Sequence, residues 1–88
     1  MTEIYRDVAV RPAPVSVATA REMIAEVRGL APLRGFRGHP PGDLEALARL
    51  VADVSRLAPH PRLEEAEINP VLVAHEGVVM LDALIRLR

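Results

Sequence analysis

The chain has 88 residues and a mass of 9.6 kDa; half of its residues are hydrophobic and 26% are charged, so we expect one small soluble domain over residues 1–88. Its net charge is −1, its eleven basic residues are all arginine, and its aromatic residues are one tyrosine and one phenylalanine, which argues against a nucleic-acid partner. The absence of cysteine excludes disulfides, thiolate zinc sites and a cysteine nucleophile.

The chain contains no apolar run of the roughly 20 residues that a transmembrane helix needs. Residues 1–10 also lack the apolar stretch of a signal peptide. We therefore expect a cytoplasmic location and no membrane partner.

The N-terminal segment alternates between apolar and charged side chains. This period of two predicts a half-buried strand over residues 3–11, with Ile4, Val8 and Val10 on the buried face. The Pro-Ala-Pro sequence that follows ends the strand, because proline cannot donate a hydrogen bond to a neighbouring strand.

The next segment has apolar residues at helical spacing. It predicts a helix over about 17–28, with Ser16 as a candidate N-cap and Gly29 as the C-terminal stop. A capping box formed by Thr19 and Glu22 is an alternative start.

Residues 30–42 hold three prolines and three glycines, which predicts a long irregular loop. Arg37 is its candidate phosphate-binding residue, because it lies between Phe36 and Gly38 in a backbone that glycine leaves free to approach a phosphate. The alternative is a covering loop in which Phe36 fills the core and the arginines pair with carboxylates.

A second helix is predicted over about 44–58, with Asp43 as its N-cap and a Pro-His-Pro sequence after it. Its predicted buried stripe comprises Leu44, Leu47, Ala48, Val51, Val54 and Leu57.

The C-terminal segment consists of two strand-like runs on either side of Ala-His-Glu-Gly, which predicts a hairpin with strands at about 64–73 and 78–87. The element order is then strand, helix, helix, strand, strand. This order is typical of an α+β fold with an antiparallel sheet and two helices packed on one of its faces.

The hairpin loop is predicted to be either His75–Glu76 alone or residues 74–77, and both even-numbered loops give a register in which paired residue numbers sum to 151. Four pairs are then apolar and are predicted to form the core face: Ala66–Ile85, Ile68–Ala83, Pro70–Leu81 and Leu72–Val79. The opposite face carries Glu65–Arg86, a cross-strand ion pair, and Asn69–Asp82.

The Asn69–Asp82 pair places an amide oxygen and a carboxylate side by side, with Glu67 two residues along the same face. Adjacent oxygen ligands suit Mg²⁺, which takes its remaining ligands from water and substrate phosphates. The alternative is a structural role, in which Asp82 pairs with an arginine. We name Asn69, Asp82 and Glu67 as candidate metal ligands, and the spacing leaves both interpretations open.

At these residues the sequence resembles a known family. The sequences EINPVLV and EGVVMLDALI resemble the C-terminal hairpin of the ATP-grasp domain of NDP-forming acyl-CoA synthetases, such as ADP-forming acetate–CoA ligase and, more distantly, the succinyl-CoA synthetase β subunit. The segments DVAVRPAPVSVATAREMIAEVRG and LRGFRGHPPGDLEALARLVADVSRLA resemble the preceding part of that domain. The similarity covers nearly the whole chain.

The resemblance implies that Asn69 and Asp82 bind the Mg²⁺ of ATP or ADP, and that the complete enzyme interconverts acyl-CoA, ADP and phosphate with acid, CoA and ATP. It also implies two partners: the rest of the ATP-grasp domain and a CoA-binding domain or subunit. The lysines and the glycine-rich loop that hold ATP in the family have no counterpart in this chain. We therefore expect the isolated chain to be inactive and to bind neither nucleotide nor Mg²⁺ tightly.

Two other functions are compatible with the residues alone. The Gly-x-x-Gly sequence Gly35-Phe36-Arg37-Gly38 between two helices matches a KH-like RNA-binding module. An assembly module is the other, because an isolated piece of a sheet leaves apolar surface and strand edges open to a partner or to a second copy.

Overall fold

The computed structural model describes residues 7–35 and 40–88. In these residues, helices come first and four short strands follow. The elements are α1 (Val17–Glu26), a 3₁₀-helix (Arg28–Arg34), α2 (Leu44–Ser55), β1 (Leu63–Ile68), β2 (Val71–Val73), β3 (Val78–Met80) and β4 (Ala83–Leu87). Strand β1 pairs with β4, and β2 pairs with β3, both antiparallel. The predicted α+β class is confirmed, but the strand-first order is wrong.

The described part of the predicted first strand, residues 7–11, forms no strand, and residues 3–6 lie outside the described residues. Val8 and Val10, which we expected on the buried face, are exposed. The Asp7 carboxylate instead accepts hydrogen bonds from the backbone N–H groups of Arg28 (2.7 Å) and Gly29 (2.6 Å). This segment therefore runs beside the start of the 3₁₀-helix, and its Ala9 lines a cavity with Val71 and Val73 of β2 without pairing with that strand.

Helix α1 begins at the first of its two predicted starts, because the Ser16 hydroxyl accepts a hydrogen bond from the Thr19 N–H at 3.0 Å. It ends at Glu26, two residues early. The predicted irregular loop is also partly wrong, since Arg28–Arg34 forms a 3₁₀-helix that includes Pro32. The first N–H groups of this helix donate to Asp7. Because Asp7 is remote in sequence, local spacing does not predict this contact.

Helix α2 is confirmed, with Asp43 as N-cap, and it ends three residues before the predicted end. The core lies between the two helices and consists of Ala20, Ile24, Ala48 and Ala52, all buried. Leu44, Leu47, Val51 and Val54 of the predicted stripe are half-buried, while Leu57 is exposed. Small side chains at the contact let the helices approach closely.

None of the helices in residues 7–35 and 40–88 combines the length and hydropathy that a membrane crossing requires.

The replacement Ala48→Leu should therefore lower the free energy of unfolding by about 1–3 kcal/mol, because the added atoms have no space at a fully buried position. Urea unfolding of the purified chain measures the effect. The same change at the exposed Ala18 is the control and should stay within about 0.5 kcal/mol of wild type. Equal effects at both positions would contradict this helix contact.

The predicted hairpin register is confirmed. The pairs Ala66–Ile85, Ile68–Ala83 and Leu72–Val79 form as expected, and only the Leu63–Leu87 end shifts. The expected Glu65–Arg86 ion pair is present at 3.4 Å.

The face that points toward the helices changes between the two ladders, which corrects the predicted core face. In β1 the half-buried residues are Leu63, Ala66 and Ile68, whereas in β2 they are Val71 and Val73 rather than Leu72. Strand alternation is broken at Asn69 and Pro70, which belong to no strand and are joined by a cis peptide bond. Proline lacks the N–H that would continue the ladder.

The pairs Pro70–Leu81 and Leu72–Val79 were therefore wrongly predicted to be core. Leu72, Val79 and Leu81 are 54%, 50% and 59% exposed. We call these three residues the outer hairpin face.

The predicted core face is wrong for β4 as well. In the other two predicted core pairs, Ala66 and Ile68 are half-buried, but their partners on β4, Ile85 and Ala83, are exposed.

Candidate metal and phosphate site

The three predicted metal ligands lie together. Glu67, Asn69 and Asp82 line one open cavity of about 220 Å³ with Ala83 and Leu84, and all three candidate ligands are exposed to solvent. The cavity lies at the junction between the β1–β4 and β2–β3 ladders.

Backbone hydrogen bonds hold this junction in register. The Asn69 N–H donates to the Asp82 carbonyl oxygen at 3.1 Å, and the Leu81 N–H donates to the Pro70 carbonyl oxygen at 3.0 Å. The two strands therefore stay paired through the break, although neither Asn69 nor Asp82 belongs to a strand. Both side chains line the same cavity as Glu67.

The Asp82 carboxylate accepts one hydrogen bond through Oδ1, from the Ala83 N–H at 2.9 Å. Within residues 7–35 and 40–88, none of the ion pairs involves Asp82. The alternative in which an arginine neutralises Asp82 has no support in that part of the chain.

The donor set fits a hard divalent cation. Two carboxylates and an amide oxygen are ligands that Mg²⁺ accepts, while it keeps several waters or phosphate oxygens in its octahedral shell. In the described ranges, no group of three or more His, Asp or Glu side chains is arranged to hold a metal. A cation at this cavity would therefore need further ligands from water or from a bound phosphate.

One other predicted feature cannot be assigned to the site. Arg37, the candidate phosphate-binding residue, lies in the segment 36–39, outside the described residues, as does most of the Gly-x-x-Gly sequence. His60 and His75 are both exposed, and neither of them lines the cavity.

Sequence reasoning found Asp43 as a helix cap but missed its second contact. Oδ1 of Asp43 accepts from the Ala46 N–H (2.9 Å), while Oδ2 accepts from the Gly77 N–H (2.7 Å) in the β2–β3 turn. The Asp43 N–H also donates to the Ala74 carbonyl oxygen at 2.7 Å. We call these contacts of Asp43 with Ala74 and Gly77 the Asp43 clasp. No signal in the local sequence links residues 43 and 77.

Backbone hydrogen bonds from Ala46 and then Gly77 lower the pKa of the Asp43 carboxyl, and the charges of Arg49 and His75 act in the same direction. The pKa of Glu45 is likewise lowered by its hydrogen bonds with Arg21, which join α2 to α1. Both carboxyls are therefore stabilised in the ionised form in the folded chain.

These shifts predict acid sensitivity. A carboxyl with a lowered folded-state pKa contributes its stabilisation fully above its unfolded-state pKa, and loses it as the pH falls through the folded-state value. We expect the stability of the chain, measured by urea unfolding, to decline below about pH 4. In Asp43→Asn the decline should be shallower, and the stability difference from wild type should shrink toward acid pH. Identical acid profiles would contradict the assignment.

Comparison with known proteins identifies a matching family and several similar proteins. A family model described as an ATP-grasp domain matches residues 1–87. Acetate–CoA ligase [ADP-forming] I of Archaeoglobus fulgidus is 41% identical over 81 residues, which cover 91% of this chain and 12% of that protein. The β subunit of acetate–CoA ligase [ADP-forming] I of Pyrococcus furiosus is 38% identical, over 92% of this chain and 35% of that subunit.

Solved structures agree with these matches. Dinucleotide-forming acetyl-coenzyme A synthetase 1 of Ca. Korarchaeum cryptofilum, in complex with coenzyme A and Mg-AMPPCP, superposes with a TM-score of 0.87 at 37% identity. The match covers 93% of this chain and 39% of that one. The chain thus spans little more than a third, or less, of the length of these relatives.

Proposed function

The chain belongs to the ATP-grasp domain family, and from this premise we propose that it is the C-terminal part of the ATP-grasp domain of an ADP-forming acyl-CoA synthetase. The complete enzyme would interconvert acyl-CoA, ADP and phosphate with the free acid, CoA and ATP. The KH-like alternative loses its basis, because the match covers almost the whole chain and the expected first strand is absent from residues 7–11.

The observation that carries the proposal is the common cavity of Glu67, Asn69 and Asp82. In the proposed role, Asp82 and Asn69 contribute oxygen ligands to the Mg²⁺ of the bound nucleotide, and Glu67 is an additional or water-mediated ligand. Such a Mg²⁺ neutralises phosphate charge during phosphoryl transfer. Among residues 7–35 and 40–88, the Asp82 carboxylate accepts a hydrogen bond only from the adjacent Ala83 N–H, and this bond orients Oδ1.

The nucleotide itself must be held largely by other parts of the enzyme. The chain has no lysine, so its only permanent cations are arginines. Arg37 remains the candidate phosphate contact from its loop. By itself the chain is therefore expected to be inactive and to bind ATP, ADP and Mg²⁺ only weakly.

The remainder of the ATP-grasp domain is the first proposed partner, and a CoA-binding domain or subunit is the second. Support comes from the surface: the outer hairpin face and the whole of β4 are exposed although they are rich in leucine and isoleucine. Exposed apolar strands of this kind are typical of a sheet that another part of a protein covers. Self-association of the isolated chain would use the same surface.

The test of the metal role is the turnover of Asp82→Asn in the complete enzyme, measured as ATP formed from acyl-CoA, ADP and phosphate. A large loss of turnover with an unchanged fold supports the proposal. Turnover near wild type would assign Asp82 a structural role.

A further inference from the structure

The turn of the β2–β3 hairpin, which leads to the proposed metal site, is attached to the start of α2 by hydrogen bonds. The Asp43 clasp bonds to both sides of the turn, because Asp43 donates to the Ala74 carbonyl oxygen and accepts from the Gly77 N–H, each at 2.7 Å. The turn closes on itself through the Ala74 N–H and the Gly77 carbonyl oxygen at 3.0 Å. Gly77 has a φ of 82°, a conformation that favours glycine.

Side-chain packing between α2 and the strands is loose. Two cavities, of about 290 and 400 Å³, lie between α2 residues such as Leu50 and Val54 and the strand residues Ile68 and Ile85. The buried core is confined to the helix pair. The orientation of the hairpin on α2 therefore depends largely on hydrogen bonds.

The hairpin continues without a gap to the candidate ligands. Backbone bonds at Leu81–Pro70 and Asn69–Asp82 join it to the cavity. Asp82 follows Gly77 by five residues, so a tilt of about 10° at the turn would displace the ligands by roughly 3 Å at 3.3 Å per residue. Ligand sets tolerate much smaller displacements, on the order of 0.5 Å.

We infer that Asp43 is a positioning residue: through Gly77 it fixes the orientation of the hairpin on α2 and so sets the metal affinity of Asn69 and Asp82. This role rests on the proposed function. It is distinct from helix capping, since capping uses Oδ1 alone and the clasp uses Oδ2 and the backbone N–H.

The variant Asp43→Asn separates the two tasks. Asparagine caps helices as well as aspartate does, so its single amide oxygen keeps the bond from Ala46. Its NH₂ group cannot accept from the Gly77 N–H. Ser16→Ala is the matched control, because it removes the cap of α1 without touching the hairpin.

Two measurements on the 88-residue chain test the inference by NMR. Amide hydrogen exchange and residual dipolar couplings report the protection of Gly77 and the orientation of residues 78–83 relative to α2. Titration with Mn²⁺ alone reports metal affinity through paramagnetic broadening at Asn69 and Asp82. In Asp43→Asn we expect Gly77 to exchange at least about tenfold faster while Ala46 stays protected, and the Mn²⁺ dissociation constant to rise about tenfold. Ser16→Ala should change neither.

The outcomes distinguish this inference from the proposed function. An unchanged hairpin orientation, or equal Mn²⁺ affinity in wild type and Asp43→Asn, overturns the positioning role and leaves the metal site intact. Equal loss of affinity in Ser16→Ala also overturns it, because general destabilisation would then account for the effect. Absence of Mn²⁺ broadening at Asn69 and Asp82 in wild type also overturns the positioning role, because the chain then has no affinity for Asp43 to set. The metal role itself is decided separately, by the turnover of Asp82→Asn in the complete enzyme.

Discussion

In the complete enzyme, Asp82→Asn should lower turnover about a hundredfold or more, which corresponds to roughly 2.7 kcal/mol of lost transition-state stabilisation. In the proposed role, the substitution would replace a charged oxygen ligand by a neutral amide of the same shape, and so weaken the binding of the cation that offsets phosphate charge. The Mg²⁺ concentration for half-maximal rate should also rise. A steady-state assay of ATP formation at varied Mg²⁺ measures both effects.

The fold should survive this change. Asp82 is exposed, and an asparagine oxygen can still accept the hydrogen bond from Ala83, so the free energy of unfolding should stay within about 0.5 kcal/mol. Asp53→Asn is the matched control, because it makes the same chemical change at an exposed acid that pairs with Arg56 on α2. Equal turnover in the two variants would argue for a structural Asp82.

The second large effect is expected at the outer hairpin face. The double variant Leu72→Gln/Leu81→Gln should destabilise the complete ATP-grasp domain by about 3–6 kcal/mol, if each leucine is fully buried there at about 1.5–3 kcal/mol. In the 88-residue chain both side chains are already more than half exposed, so the same double variant should change stability little. Thermal or urea unfolding of the two proteins, each with and without the substitutions, gives the comparison.

The informative quantity is the difference between the destabilisation of the complete domain and that of the 88-residue chain. Ala18→Gln, on an exposed face of α1, is the control for adding polar surface and should have a small effect in both. If the double variant is as stable as wild type in the complete domain, the rest of the domain does not cover this face. A second-copy interface would then be the alternative, and analytical ultracentrifugation of the 88-residue chain would detect it.

Sequence alone was sufficient for the features that depend on neighbours in the chain. The N-caps Ser16 and Asp43 follow from single side chains that accept from N–H groups three residues on. The register of the hairpin follows from an even-numbered loop, and the register in turn predicted that Asn69 and Asp82 lie together.

Other features required tertiary structure. The alternation in residues 3–11 is a strand pattern, yet residues 7–11 pair with no strand because Asp7 bonds to Arg28 and Gly29 instead. The prediction of the core face of β2 was wrong because side-chain alternation does not continue across Asn69 and Pro70, where the strand is interrupted. The contact between Asp43 and Gly77 spans 34 residues, beyond the reach of any local signal.

The sequence by itself therefore determined the two α-helices, the turn register and the juxtaposition of Asn69 and Asp82, since caps, periodicity and loop length act within a few residues. Tertiary structure decided which strand face meets the helices, which segment pairs with which, and how the hairpin is fixed on α2. Those choices depend on competition between distant hydrogen-bond partners and apolar surfaces, and that competition is settled only when the chain is folded.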